Sequence, residues 1–152
     1  MSQKKEFIRL LSRSILVINH VFIGLAISFI FFKFLTNSSK QKIISWWHGK
    51  FTKFLNIKIS VNGKLPKLPS LIVSNHVSWL DIIVIGHLVP TVFLSKKEVK
   101  RWPILGLLTK LAGTIFINRG NGQSEKIKKS MIDKFSKNYS VTIFPEGTTS
   151  DG

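Results

Sequence analysis

Leu71-Ile72-Val73-Ser74-Asn75-His76-Val77-Ser78-Trp79-Leu80-Asp81 runs from an apolar stretch through a polar turn into a second apolar segment, an order that predicts strand, loop and helix. Ser78 and Asp81 have the Ser-x-x-acid spacing of a helix-capping box, which places the start of that helix. A strand feeding a helix in this way is the opening of an α/β unit. The same stretch sets an imidazole and a carboxylate five positions apart. On one continuous helix they would sit about 140° apart around the axis and would not meet. They meet if His76 lies in the loop and Asp81 in the first helical turn. A carboxylate so placed can fix the tautomer of a histidine and make it a general base. The plainer alternative is that Asp81 only caps the helix.

Downstream, short β-rich runs alternate with helical ones. The expected strands are 57–61, 71–74, 91–94, 114–117 and 141–144; the expected helices are 79–88, 103–111 and 123–137, with turns at Asn62-Gly63 and Gly120-Asn121-Gly122. In such a sheet the carboxyl ends of the strands converge on one crevice. Two further runs end in polar residues there: Gly113-Thr114-Ile115-Phe116-Ile117-Asn118-Arg119, and Phe144-Pro145-Glu146-Gly147-Thr148. The planar fork of Arg119 suits an anionic oxygen, although alone it would be an ordinary surface ion-pair residue.

Upstream the texture changes. Residues 15–32 carry no formal charge, lie between Arg13 and Lys33, and would make a helix about 27 Å long, close to one hydrocarbon core. Asn19 and His20 weaken the run, and its bulky end, Phe29-Ile30-Phe31-Phe32, offers no cleavage site, so a retained anchor is expected. A second helix over 41–55 places two tryptophans and apolar residues against Lys42, Lys50 and Lys53. That pattern suits a membrane interface, or a soluble helix packed on the core. The net charge of +16 is concentrated early: residues 1–67 hold 12 basic groups and only Glu6. Basic residues flanking an apolar helix fit anionic headgroups better than nucleic acid, which is not expected as a partner. The flanks are basic on both sides, which favours a helix that dips into one leaflet and returns. The division expected is a membrane-anchoring two-helix region, 1–56, and a catalytic α/β domain, 57–152.

His20, His48 and His87 lack metal-ligand spacing, so no metal is expected, and no Gly-x-Ser-x-Gly elbow supports a serine hydrolase. With no cysteine there is no thiol nucleophile.

The blocks Asn75 to Asp81, Gly113 to Arg119, and Phe144-Pro145-Glu146-Gly147-Thr148 resemble, in order, the first three motifs of the glycerophospholipid acyltransferase family, which includes 1-acyl-sn-glycerol-3-phosphate acyltransferases. The resemblance implies an N-terminal membrane-associated helical pair followed by a mixed-sheet acyltransferase domain. It also implies O-acyl transfer from acyl-CoA or acyl-carrier protein to a lysolipid hydroxyl, with no other cofactor, at the cytoplasmic face of a bacterial inner membrane. His76 and Asp81 would be the catalytic pair, and Arg119, Glu146, Gly147 and Thr148 would bind the acceptor. Where many members have arginine after Glu-Gly-Thr, this chain has Thr149, which resembles a bacterial subset that includes acyltransferases of lyso-ornithine lipids. The chain ends at Gly152, ahead of the family's fourth, proline-containing motif, which implies an N-terminal fragment. The competing expectation is a non-catalytic basic module that binds membrane surfaces.

Overall fold

The structure is a computed structural model that describes residues 3–118, 124–147 and 149. Helix α1, Gln3–Phe31, continues through a 3-10 turn, Phe32–Phe34, to α2, Asn37–Leu55. Thr36 caps α2 by accepting the Ser39 N–H at 3.2 Å, so the helix starts at Asn37, ahead of the 41–55 expected, and Asn37, Ser38 and Ser39 form its first turn. Asn56 ends α2 in the left-handed conformation.

The two helices are clasped reciprocally. His20 Nε2 donates to the Trp47 carbonyl at 2.9 Å, and Trp47 Nε1 donates to the His20 carbonyl at 3.1 Å. The rings stack 4.9 Å apart, and a Cβ at Gly24 would lie 2.5 Å from Trp47 Nε1. The histidine that weakens the apolar run on paper is therefore turned inward. It and Gly24 are the buried residues of α1, whose other described side chains stay at least partly exposed.

The domain is built on four parallel strands, β1 Leu71–Val73, β2 Thr91–Lys96, β3 Ile115–Ile117 and β4 Ser140–Ile143, in the order β1-β4-β2-β3. All described pairings are parallel, where the resemblance implies a mixed sheet. Helices α3, Leu80–Leu88, and α4, Leu105–Leu111, connect strands stepping one way along the sheet; α5, Ser124–Ser136, serves the return step. With right-handed crossovers, α3 and α4 cover one face and α5 the other. The side chains agree. Val92, Ile115 and Val141 pack with Met131 and Phe135 of α5, while Thr91 and Thr142 point the other way and bond each other at 2.9 Å.

Residues 57–61 form no strand. Residues 57–60 alternate, half-buried then exposed, with the period of a strand, but 57–61 join no ladder among the described residues, and period alone makes no sheet. A 3-10 helix over Lys97–Arg101, which periodicity did not reveal, follows β2.

Helix α2 packs on α3 through an exchange of rings and glycines. A Cβ at Gly86 would come 2.5 Å from His48 Nδ1, and one at Gly49 would come 2.6 Å from His87 Cε1. Only glycine permits this approach from either side. His48 is buried, and burial pushes its imidazole down to about 4. The N-terminal pair is thereby packed directly onto the helix that carries Asp81.

Candidate functional site

β1 ends at Val73, and residues 74–79 carry the chain over the sheet's carboxyl edge into α3. His76 stands in that loop and Asp81 in the first turn of α3, and the two side chains meet. Asp81 Oδ2 accepts three hydrogen bonds: His76 Nδ1–H at 3.0 Å, the Val77 N–H at 2.8 Å and the Ser78 N–H at 2.9 Å. The capping and functional readings of Asp81 therefore coincide, because the carboxylate that closes the start of the helix also holds the ring. Ser78 plays a smaller part, with its Oγ accepting the Leu80 N–H at 3.3 Å.

The electrostatics follow from these bonds. Partial burial pushes the Asp81 carboxyl up, but the Ser78 N–H, the His76 ring and the Val77 N–H together outweigh it and hold the group below the usual aspartate range. An ionised carboxylate only accepts, so the proton between the two groups sits on His76 Nδ1, and Nε2 is left with its lone pair. The two side chains are 17% and 25% exposed, open enough for a reactant yet largely shielded.

The imidazole has a second neighbour that sequence reasoning missed. Phe144, directly after β4, stacks on His76 with ring centroids 4.2 Å apart and planes 19° off parallel, and Phe93 of β2 lies in turn beside Phe144 at 6.1 Å. Thus carboxylate fixes one edge of the ring and phenyl its face. The sequence shows only that Phe144 heads the Phe-Pro-Glu-Gly block; the pairing of β4 with β1 that brings it to the ring belongs to the sheet. Val77 and Trp79 flank the histidine with exposed apolar side chains.

The stack brings the β4 loop to His76. Glu146 and Gly147 lie in that loop, where the Gly147 N–H donates to the Phe144 carbonyl at 3.0 Å and Gly147 has φ +64°, a conformation favourable to glycine. Arg119 and Thr148 lie outside the described residues. Asn118, which precedes Arg119, helps line a shallow recess of about 270 Å³ together with Lys97, Lys100, Phe116 and Lys126. Three ammonium groups around one recess suit an anion. It stands at the β2–β3 end of the sheet, while β1 is at the opposite edge, about 14 Å away across three strand spacings. Among the described residues no three His, Cys, Asp or Glu side chains gather as a metal ion would require.

An imidazole with one nitrogen tied to a carboxylate and the other available can take a proton from a hydroxyl and return it to a leaving group. Several known proteins are similar to this chain in sequence or fold. A lyso-ornithine lipid O-acyltransferase of Pseudomonas aeruginosa is 42% identical over 113 residues, covering 74% of this chain and 44% of that protein. A 1-acyl-sn-glycerol-3-phosphate acyltransferase of Neisseria gonorrhoeae is 39% identical over 101 residues, 64% of this chain and 40% of that one. The chain thus spans less than half the length of these curated relatives. The fold resembles the crystal structure of the 1-acyl-sn-glycerophosphate acyltransferase PlsC from Thermotoga maritima, with a TM-score of 0.68 at 21% identity over 99% of this chain and 64% of that one. The model of the Acyltransferase family matches residues 56–152, well over half of the sequence, and the chain belongs to that family.

Proposed function

We propose that the protein transfers a fatty acyl group from a thioester donor, acyl-CoA or acyl-carrier protein, to the free hydroxyl of a lysolipid at a membrane surface. The observation that carries this reading is the 3.0 Å bond between His76 Nδ1 and Asp81 Oδ2, which leaves Nε2 to act. Nε2 takes the hydroxyl proton as the oxygen attacks the thioester carbonyl. The carbon–sulfur bond then breaks, the thiolate takes the proton from the imidazolium, and the new ester departs. A thiol of pKa about 8.5 is an undemanding leaving group, so no covalent acyl-enzyme is required. Asp81 stabilises the imidazolium formed on the way.

In this reading residues 1–56 anchor the protein at the cytoplasmic face of the inner membrane and 57–152 carry the chemistry. Helix α1 with its 3-10 extension is, by length and composition, apolar enough to cross a membrane. Arg119, Glu146, Gly147 and Thr148 bind the acceptor. Lyso-ornithine lipid is the acceptor best supported, because the relatives of that name include the P. aeruginosa protein, and Thr149 replaces an arginine that would suit a phosphate. Lysophosphatidic acid is the other.

The test is acyl transfer by the full-length protein in membranes, with labelled acyl-CoA or acyl-carrier protein and a panel of both lysolipids. His76→Ala should lower formation of the diacyl product by about 10²-fold or more. Wild-type turnover by that variant would remove the mechanism.

A further inference from the structure

The turn between the 3-10 helix and α4 presents apolar side chains outward. Trp102 is 54% exposed, Ile104 43%, Leu105 47% and Leu107 40%. A run of this kind is unfavourable on a surface that meets only water. The backbone is also held against its preference, because Ile104 has φ +60°, a costly conformation for a β-branched residue that persists only where its surroundings impose it. Those surroundings are visible. The Trp102 N–H donates to the Val99 carbonyl at 3.1 Å and the Gly106 N–H to the Trp102 carbonyl at 3.0 Å. Gly106 sits so close to the 3-10 helix that a Cβ there would lie 2.4 Å from the Lys100 carbonyl oxygen. The turn is folded back tightly, with its apolar residues facing out.

Two observations say what covers it. Helix α4 packs against α1, the long apolar helix that exposes Phe7, Leu11, Ile15, Phe22 and Phe29 among others, so the turn continues a surface already apolar enough for a bilayer. Cations flank it, with Lys97, Lys100 and Arg101 immediately before and Lys110 at the end of α4, as anionic headgroups above a buried tip would require. We propose that residues 102–107 form a second membrane-inserting element, a wedge on the α/β domain itself that enters the same leaflet as α1. The wedge sets the height of the domain over the lipid. It brings the recess lined by Lys97 and Lys100 to the headgroup layer, whereas an anchor made of α1 and α2 alone would leave the domain free to tilt.

Depth measurement tests this without reference to turnover. The 152 residues contain no cysteine, and full-length protein with any cysteine beyond them replaced and Leu105→Cys as its single reactive thiol can bear one spin label, with Ile132→Cys on α5, the opposite face of the sheet, as the comparison. Both are placed on vesicles of phosphatidylethanolamine and phosphatidylglycerol. The label at 105 should collide with oxygen dissolved in the acyl chains and be shielded at least several-fold from a water-soluble nickel complex; the label at 132 should show the reverse. Free access of the nickel complex to position 105 on vesicles would overturn the proposal. So would shielding of position 105 from both relaxers, which would mean that protein, a second copy or another part of the chain, covers the turn. Trp102→Cys repeats the measurement should the first variant fold poorly.

Discussion

His76 and His48 stand near opposite ends of α3 in opposite surroundings. His48, on α2, is enclosed against Gly86, is 7% exposed, and has no hydrogen-bond partner on Nδ1 among the described residues. His76 keeps part of its ring accessible and has a carboxylate on Nδ1 and a phenyl ring on its face. Burial with no carboxylate on the ring makes the first a neutral packing ring. A partner without full burial leaves the second a nitrogen that can accept a proton. Both are histidines beside an apolar helix, and burial and the carboxylate separate them.

The comparison breaks first, and by the largest margin, in turnover. His76→Ala should lower acyl transfer by about 10²- to 10⁴-fold, the range for loss of a positioned base, while His48→Phe, which keeps a ring against Gly86, should stay within a few-fold of wild type. Equal losses in a steady-state assay on membranes would erase the distinction.

Stability against pH sharpens it next. The folded His48 value, about 4, lies below its unfolded value of 6.5, so the unfolded chain binds the extra proton and stability falls as pH drops from 6.5 toward 4. The loss should amount to about 3 kcal/mol across that window, and His48→Phe should flatten it in denaturation at each pH. Asp81 acts lower. Its depressed value supplies stability above the ordinary aspartate pKa that disappears as pH falls through the folded one, a separate step that the His48 variant should retain.

Substitution at the glycine facing His48 gives a smaller effect. Gly86→Ala places a methyl 2.5 Å from Nδ1 and should destabilise the protein by about 1–3 kcal/mol, seen as a lowered denaturation midpoint in detergent. An unchanged midpoint would mean that α2 and α3 can separate without cost.

Much of this was legible in the residues. The apolar run, the Ser-x-x-Asp spacing and the next apolar run were enough to place His76 on a loop and Asp81 on a helix, because strand and helix periods and capping are local properties. The N-terminal pair was legible for the same reason, although α1 begins at Gln3, well before the apolar run. What could not be read depends on which strands become neighbours. Phe144 reaches His76 only because β4 lies beside β1, and His48 meets Gly86 only because α2 packs on α3. Residues 57–61 show the converse, a strand-like alternation that joins no ladder.

General-base action by His76 requires its proton on Nδ1, and nitrogen-15 NMR of the histidine side chains in full-length protein in membrane mimetic reads the tautomer directly. The neutral ring should carry its proton on Nδ1 and leave Nε2 bare, with that preference lost in Asp81→Ala. A proton on Nε2 in the wild type, with Nδ1 bare, would contradict general-base action.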